Sequence, residues 1–217
     1  MVNIYTKIII TIILFFISFN LKANSNYFKF NYGISSNNIE ASAASDTASG
    51  AITTDEDDAG YMLSGGYMIG DNWGVDLMYY NMGDSTITVT KDDILKVENA
   101  NFSVETAGDI TRNVTGFGIG LITASNNENK LLSLDYYLKL GIHSWDEGGS
   151  TTLMDDDTGF KSKYYNEGIG AYGGIGISMN LYENTSLDFA YDIIGVSTNM
   201  DFDNNSSLLS AGLRFKF

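Results

Sequence analysis

The sequence contains no cysteine and no proline among its 217 residues. Without cysteine the chain cannot form disulfides, so an exported protein of this composition needs another device to hold it together. Proline would remove a donor from a β-ladder, and its absence therefore suits a chain made mostly of paired strands. Glycine (23 residues), tyrosine (14) and phenylalanine (12) are abundant, and this combination favours strands over helices.

Positive charge is also scarce. Twelve Lys and Arg residues stand against 27 Asp and Glu residues, which gives a formal net charge of −15. Such an acidic balance argues against nucleic acid as a partner, because nucleic-acid binding depends on neutralising phosphates with cations.

The N-terminus has no apolar run of the roughly 20 residues that a membrane-spanning helix needs. Instead Lys7 precedes a short apolar run at 8–17, and Ala23 follows at a small-residue cleavage point. This pattern predicts a secretory signal peptide at residues 1–23 and a mature domain at 24–217. Because no cysteine lies at the cut, a lipoprotein is excluded.

The mature chain shows period-two alternation in eight segments and no helical apolar period. Short spacers at 70–72, 125–130 and 181–184 join them in pairs, whereas the other spacers are long and polar. Short turns at one end and long loops at the other are typical of outer-membrane barrels. The predicted strands lie near 27–35, 59–69, 73–82, 114–124, 131–144, 167–180, 185–194 and 207–217.

The two faces of these segments differ in charge. One face comprises 39 positions without a charged residue, where chance would place about seven. Aromatic residues gather towards its two ends, as in the girdles of membrane barrels: Phe28, Tyr67 and Trp73 on the short-turn side, and Tyr61, Tyr79 and Tyr191 on the other. The opposite face carries Lys29, Asp76, Asp135, Lys139, Asp188, Asp192, Arg214 and Lys216.

The chain ends Ser-Ala-Gly-Leu-Arg-Phe-Lys-Phe at 210–217. The spacing of Gly212, Phe215 and Phe217 resembles the β-signal that the barrel-assembly machinery reads. Residues 25–217 resemble the OmpA-type transmembrane domain and the OmpX-like barrels, and the segment 66–76 looks very like the second hairpin of that group. The resemblance implies an all-β, closed, antiparallel, up-and-down, eight-stranded transmembrane β-barrel in the outer membrane of a Gram-negative bacterium. The periplasmic peptidoglycan-binding domain of full OmpA is missing, so cell-wall anchoring is not implied.

The charged face would then line the lumen, where an eight-stranded barrel is just wide enough for side chains to fill. Glycines on some inner faces leave room for long side chains from others. Asp76, Asp135, Asp188 and Arg214 lie at similar depth, counted from the short turns. We therefore expect a buried ionic plug around Arg214, because unpaired charge in a dry lumen is costly. A gated or leaky pore is the alternative.

The sequence contains no recognisable catalytic triad or cofactor-binding motif. His143, the single histidine, should face inward near the outer end of its strand, and Ser144 and Asp146 are its neighbours in sequence only. The glycines at 168, 170 and 173 match a dinucleotide fingerprint formally, but no strand-turn-helix context surrounds them. We predict no catalytic residue, no cofactor and no metal site.

These patterns predict a non-enzymatic outer-membrane protein with a structural, surface-exposed role in envelope integrity. The loops at 36–58, 83–113, 145–166 and 195–206 carry about −6, −3, −3 and −2. The resemblance implies adhesion or contact with a host ligand through these acidic loops. The expected partners are outer-membrane lipid, lipopolysaccharide and the assembly machinery. A small OmpW-like channel or carrier for hydrophobic or ionic solutes is the alternative, and a lipid-A-modifying enzyme is third.

Overall fold

A computed structural model describes residues 26–37, 41–43, 53–55, 57–89, 94–97, 100–103, 107–125, 132–155, 158–196 and 205–217. The predicted signal peptide lies outside the described residues, as does most of the predicted turn at 125–130. Twelve strands occur within those ranges: β1 (Tyr27–Asn37), β2 (Ala41–Ala43), β3 (Thr53–Asp55), β4 (Asp57–Met68), β5 (Trp73–Val89), β6 (Ile94–Val97), β7 (Ala100–Ser103), β8 (Ala107–Ala124), β9 (Leu134–Asp155), β10 (Thr158–Tyr182), β11 (Thr185–Gly195) and β12 (Asn205–Lys216).

Eight of these strands close into an antiparallel barrel. The hydrogen-bonded order runs β5-β4-β1-β12-β11-β10-β9-β8, and a further pairing of β5 with β8 completes the ring. Strands β1 and β12 form the seam between the two ends of the chain, from Tyr27 opposite Lys216 to Asn37 opposite Ser206. The fold class expected from the sequence is thereby confirmed. Within the ring each barrel strand pairs with a neighbour on both sides, so the barrel wall itself has no free edge.

The remaining short strands lie outside the ring. Strand β3 pairs with β5, and β2, β6 and β7 form a separate three-stranded sheet. No helix long and apolar enough to cross a membrane occurs among the residues that the structure describes.

Each of the eight predicted segments falls on one barrel strand, but four strands continue well past the predicted ends. The segment 145–166, predicted as a loop, is largely paired β-structure, since β9 and β10 remain in register as far as Asp155 opposite Thr158. Strands β5 and β8 likewise stay paired as far as Val89 opposite Gly108. Apolar alternation marks only the part of a strand that faces lipid, so sequence periodicity could not reveal these polar extensions.

The barrel is apolar on the outside and polar within. In β1 the side chains of Phe28, Phe30 and Tyr32 are 45%, 43% and 56% exposed, whereas Lys29 and Asn31 are each 1% exposed. The same alternation continues around the wall, which presents an apolar surface far larger than the patches on soluble monomers. Such a wall is stable only against lipid, and its interior face is left to bury the charges.

We expect Ile119→Arg to destabilise the barrel by about 2–4 kcal/mol, because Ile119 faces outward opposite Leu77 and Ile142, near the middle of the wall. Urea unfolding in lipid vesicles measures the free energy of unfolding. The matched control is Asn72→Arg in the exposed short turn, which should change it by no more than about 0.5 kcal/mol. Equal effects at the two positions would contradict an outward, lipid-facing wall.

Candidate functional site in the barrel lumen

Large inward side chains lie against glycines of neighbouring strands throughout the lumen. A Cβ added to any of these glycines would collide with the ring that covers it. Small residues therefore make space mainly for aromatic rings, whereas the sequence led us to expect space for Arg and Lys. Gly174, by contrast, lies against charged groups, those of Lys139 and Asp192. The ring-on-glycine pairs are Tyr27 on Gly66, Tyr80 on Gly116, Tyr172 on Gly120, Tyr137 on Gly176, Trp145 on Gly168 and His143 on Gly170.

Asp188 on β11 is the centre of a buried polar network, which we call the Asp188 network. Its carboxylate is fully buried and contacts side chains from four other strands. The sequence placed the centre of the plug at Arg214, whereas the structure gives Asp188 more partners. These partners are Lys29 Nζ at 3.2 Å, Asn31 Nδ2 at 3.0 Å, Tyr137 Oη at 2.8 Å, Ser178 Oγ at 2.7 Å and Arg214 Nη2 at 3.3 Å.

Arg214 is held chiefly by stacking. Its guanidinium carbon lies 4.7 Å from the ring centroid of Tyr27 and 4.6 Å from that of Tyr137. Lys29 also lies over the Tyr137 ring at 4.5 Å and donates to its hydroxyl at 2.7 Å. Cation–π contacts of this kind gain strength where water is excluded. The two tyrosines therefore help to stabilise Lys29 and Arg214, the two buried cations that share the Asp188 carboxylate.

Further ion pairs lie on either side of this centre. Lys139 Nζ lies 2.8 Å from Asp192 Oδ1, and both side chains are 1% exposed. Lys216 Nζ lies 3.2 Å from Asp135 Oδ2. This second pair is the more accessible one, because the Lys216 side chain is 19% exposed and that of Asp135 is 6% exposed. Asp76 accepts a hydrogen bond of 2.6 Å from the Tyr27 hydroxyl.

The eight predicted lumen residues comprise four cations and four carboxylates, so they balance as a group. Each charge taken out of water costs several kcal/mol unless a partner of opposite sign and good geometry replaces the water. The structure brings seven of them into direct ion pairs, which are Lys29 and Arg214 with Asp188, Lys139 with Asp192, and Lys216 with Asp135. Removing one member therefore leaves a specific partner uncompensated.

A cluster of buried apolar side chains lies in the lumen on the loop side of the ionic groups. Its members alternate with the outward apolar residues, so the parity of the strands predicts their inward position, although the charges on the same face do not indicate a cluster. Met-rich packing of this kind fills irregular space well. The cluster, which we call the apolar plug, comprises Met62, Met78, Tyr80, Met82, Val114, Trp145, Tyr172, Ile194, Val196 and Leu208, all buried.

His143 lies inward beside the apolar plug and is 2% exposed. Its Nε2 lies 2.8 Å from the Gly195 carbonyl oxygen, and its Nδ1 lies 2.7 Å from the Tyr80 hydroxyl. A carbonyl oxygen can only accept, so Nε2 carries the proton and Nδ1 accepts from Tyr80. Ser144 points outward, as its exposure shows, and so cannot reach this imidazole. Both ring nitrogens of His143 are thus hydrogen-bonded to other groups of the barrel.

The predicted surface residues lie on the outer wall. Phe215 is 42% exposed and Phe217 is 61% exposed, both beside the short-turn end. Gly212 lies in the seam opposite Asn31, where a Cβ would collide with the Phe30 carbonyl. The assembly signal and the aromatic girdle remain predictions. Within the described ranges, no group of three His, Asp or Glu side chains is placed to hold a metal ion.

Comparison with known proteins yields one family. The family model described as outer membrane protein β-barrel domain matches residues 11–215. No curated protein sequence matches the chain.

Solved structures with a similar fold include three bacterial proteins. Ail of Yersinia pestis, in complex with the heparin analogue sucrose octasulfate, is 14% identical with a TM-score of 0.47, over 89% of this chain and 99% of that one. OprG of Pseudomonas aeruginosa is 15% identical with a TM-score of 0.49, over 89% and 97%. Neisserial surface protein A is 18% identical with a TM-score of 0.48, over 88% and 97%.

Asp188→Ala should destabilise the barrel by about 3–5 kcal/mol, because it leaves Lys29 and Arg214 buried without their carboxylate. Urea unfolding in vesicles measures the loss. The control is Glu147→Ala, which breaks the 3.0 Å contact with Arg112 where both side chains are partly exposed, and should cost about 1 kcal/mol or less. A loss at Asp188 no larger than at Glu147 would show that the Asp188 network contributes little to stability.

Gly176→Ala should destabilise the barrel by about 1–3 kcal/mol, because its methyl group meets the Tyr137 ring. The double variant with Tyr137→Leu should recover part of that loss relative to Tyr137→Leu alone. Gly148→Ala is the control, since a Cβ there has nothing within 4 Å. Thermal or urea unfolding checks both, and an equal cost at Gly148 and Gly176 would refute ring-on-glycine packing.

Proposed function

Because the chain belongs to the outer membrane protein β-barrel domain family, and so lies in the outer membrane of a Gram-negative bacterium, we propose that it is a non-enzymatic structural barrel with a closed lumen. In this role it supports the integrity of the envelope and presents its loops to the outside. The fold alone does not decide between this role and transport, since one barrel architecture hosts many functions. The contents of the lumen supply the argument.

The observation that carries the proposal is that two successive layers of side chains, one ionic and one apolar, fill the lumen. The Asp188 network joins side chains of β1, β9, β10, β11 and β12 across the interior. The apolar plug then occupies the lumen on the loop side, with Met62, Tyr80, Met82 and Leu208 each 0% exposed. An ion would have to break buried ion pairs and then cross an apolar layer, and either step is costly.

The absence of catalytic geometry around His143 supports a non-enzymatic role. Its two ring nitrogens bind Tyr80 and the Gly195 carbonyl, so neither is presented to a substrate in this arrangement. A general base must reach the proton that it removes, directly or through one water. The two hydrogen bonds of His143 therefore favour a structural role for this side chain over a role in acid–base catalysis.

The outward partners follow from charge. The loops hold most of the chain's excess of carboxylates, so they favour cationic or cation-bridged partners. Lipopolysaccharide held through divalent cations fits this charge, as does a basic patch on a host surface. The terminal strand, with Phe215 and Phe217 on its outer face, fits recognition by the barrel-assembly machinery during insertion.

One observation favours a second candidate, a carrier for hydrophobic solutes. An apolar groove of about 660 Å³ runs along the outer wall between β9 and β11, over the small residues Ala171 and Gly173. Leu140, Ile175 and Ile193 line its sides. A carrier would need a passage from this groove into the lumen, but Tyr172 stands behind it with 2% of its surface exposed. The groove therefore supports lateral transport only if Tyr172 moves.

The closed-barrel role predicts that the purified, refolded protein gives no steady, discrete conductance in planar bilayers. The double variant Met62→Gly, Tyr80→Gly removes two side chains of the apolar plug and should raise the current above that of the unmodified protein. A deletion strain should also take up a hydrophobic fluorescent dye faster than its parent, and expression of the protein should restore the barrier.

Steady conductance of the unmodified protein would overturn the closed lumen. Retention of the barrier in the deletion strain would overturn the envelope role. Slower uptake of an apolar solute by the deletion strain, restored by the protein but not by Gly173→Leu, would instead establish the carrier.

A further inference from the structure

A second groove, of about 450 Å³, lies on the outer wall near the loop end and differs from the first in carrying a carboxylate. Its floor is made by small or short residues, Thr115, Gly116 and Gly148. Tyr79 on β5 and Phe117 on β8 form one side, and Tyr165 on β10 borders the other. We call this the rim groove.

Two aromatic rings of the rim groove lie next to each other. The ring centroids of Tyr79 and Phe117 lie 4.7 Å apart with their planes tilted by 44°. Tyr61 extends the aromatic row, with its centroid 6.1 Å from that of Tyr79. A cation is attracted to a ring within about 6 Å of the centroid, so one ammonium group can contact Tyr79 and Phe117 together.

Asp146 supplies a fixed negative charge in the same groove. The Tyr165 hydroxyl donates to Asp146 Oδ1 at 2.6 Å, which orients the carboxylate. An ionised carboxylate has about four acceptor positions, so this contact leaves capacity for another donor. Glu167 lies directly across the ladder from Asp146 and is exposed on the same outer face.

Negatively charged side chains outnumber positively charged ones around the rim groove. Asn113, which lines the groove, donates to Asp84 Oδ1 at 2.8 Å, and the Asp84 amide in turn donates to Asp58 Oδ2 at 2.7 Å. That amide and the amide of Ala59 hold the pKa of Asp58, in the polar rim beyond the apolar wall, below its usual range. Asp58 therefore stays charged even in mildly acidic surroundings.

Cations near the rim groove are fewer. Arg112 is already paired with Glu147 at 3.0 Å. Lys163 on β10, two residues from Tyr165, is exposed and is the other basic side chain described on this part of the wall. Against it stand Asp58, Asp84, Asp146 and Glu167, so the local field attracts a cation.

We propose that the rim groove binds an organic ammonium group, with Tyr79 and Phe117 contacting its alkyl surface and Asp146 neutralising its charge. Aromatic walls with one carboxylate suit this chemistry, because an ammonium group gains cation–π attraction that a neutral group of equal shape does not. The group can come from a soluble amine or from the ethanolamine headgroup of a neighbouring lipid. Both sources present a positive ammonium charge on a short alkyl chain to the groove.

The test uses the refolded full barrel in non-ionic detergent micelles, titrated with choline and observed by ligand NMR. Choline should bind at least about fivefold more tightly than 3,3-dimethylbutan-1-ol, its uncharged isostere. Asp146→Asn should weaken choline binding at least about fivefold, and Phe117→Leu about threefold. The matched control Phe189→Leu, at a residue 50% exposed on another part of the wall, should leave binding unchanged.

Each variant must first show the gel migration of a folded barrel. If Phe117→Leu does not fold, Phe117→Tyr keeps the ring and should keep choline binding, while Asp146→Asn still removes the charge. Equal binding of choline and its neutral isostere would overturn the proposal, as would unchanged choline affinity in Asp146→Asn.

A second arm identifies the source of the ammonium group. The protein is placed in nanodiscs of phosphatidylglycerol with or without phosphatidylethanolamine, and choline binding is measured again. Competition by the ethanolamine lipid assigns the groove to a headgroup of the surrounding membrane. Unchanged choline binding in both membranes assigns it to a soluble amine, and loss of binding in both membranes would contradict the site.

Discussion

Backbone hydrogen bonding in lipid is the constraint on which the rest of this structure depends. Water is absent from the hydrocarbon layer, so each N–H and C=O in the wall must find its partner within the chain. The ring of eight antiparallel strands meets this condition because all its neighbouring strands are hydrogen-bonded, including the β1–β12 seam that joins the two ends of the chain. Once the ring is closed, its circumference is set, and so is the width of the lumen.

That width explains why the interior is built from large and small residues in alternation. Tyr137 fits only because Gly176 lies beneath its ring, and Tyr172 fits only because Gly120 does. The same rings then hold buried cations, since Tyr137 contacts both Lys29 and Arg214. The packing of the lumen and its electrostatics are therefore coupled, and a substitution of a ring or of the glycine beneath it alters the ionic groups as well.

The outer wall was predictable because alternation is a local property of the sequence. Phe28, Phe30 and Tyr32 face outward as the period of two requires. The polar extensions of β9 and β10 were missed, because ladder hydrogen bonds sustain them without an apolar face. The inward apolar residues, such as Met62 and Leu208, carry the same parity signal, but they share the inner face with the charged residues that dominate its pattern.

The sequence by itself determined the number of barrel strands, their order along the chain, and which face of each would meet lipid, because these depend on neighbours two residues apart. Only the tertiary structure decided that Asp188, rather than Arg214, is the centre of the buried network. Asn31 and Asp188 are 157 positions apart and meet only through the register of the closed ring. The rim groove is of the same kind, since Tyr79, Phe117, Asp146 and Tyr165 come from four strands. Pairing across a barrel depends on strand register and curvature, which no local pattern of residues encodes.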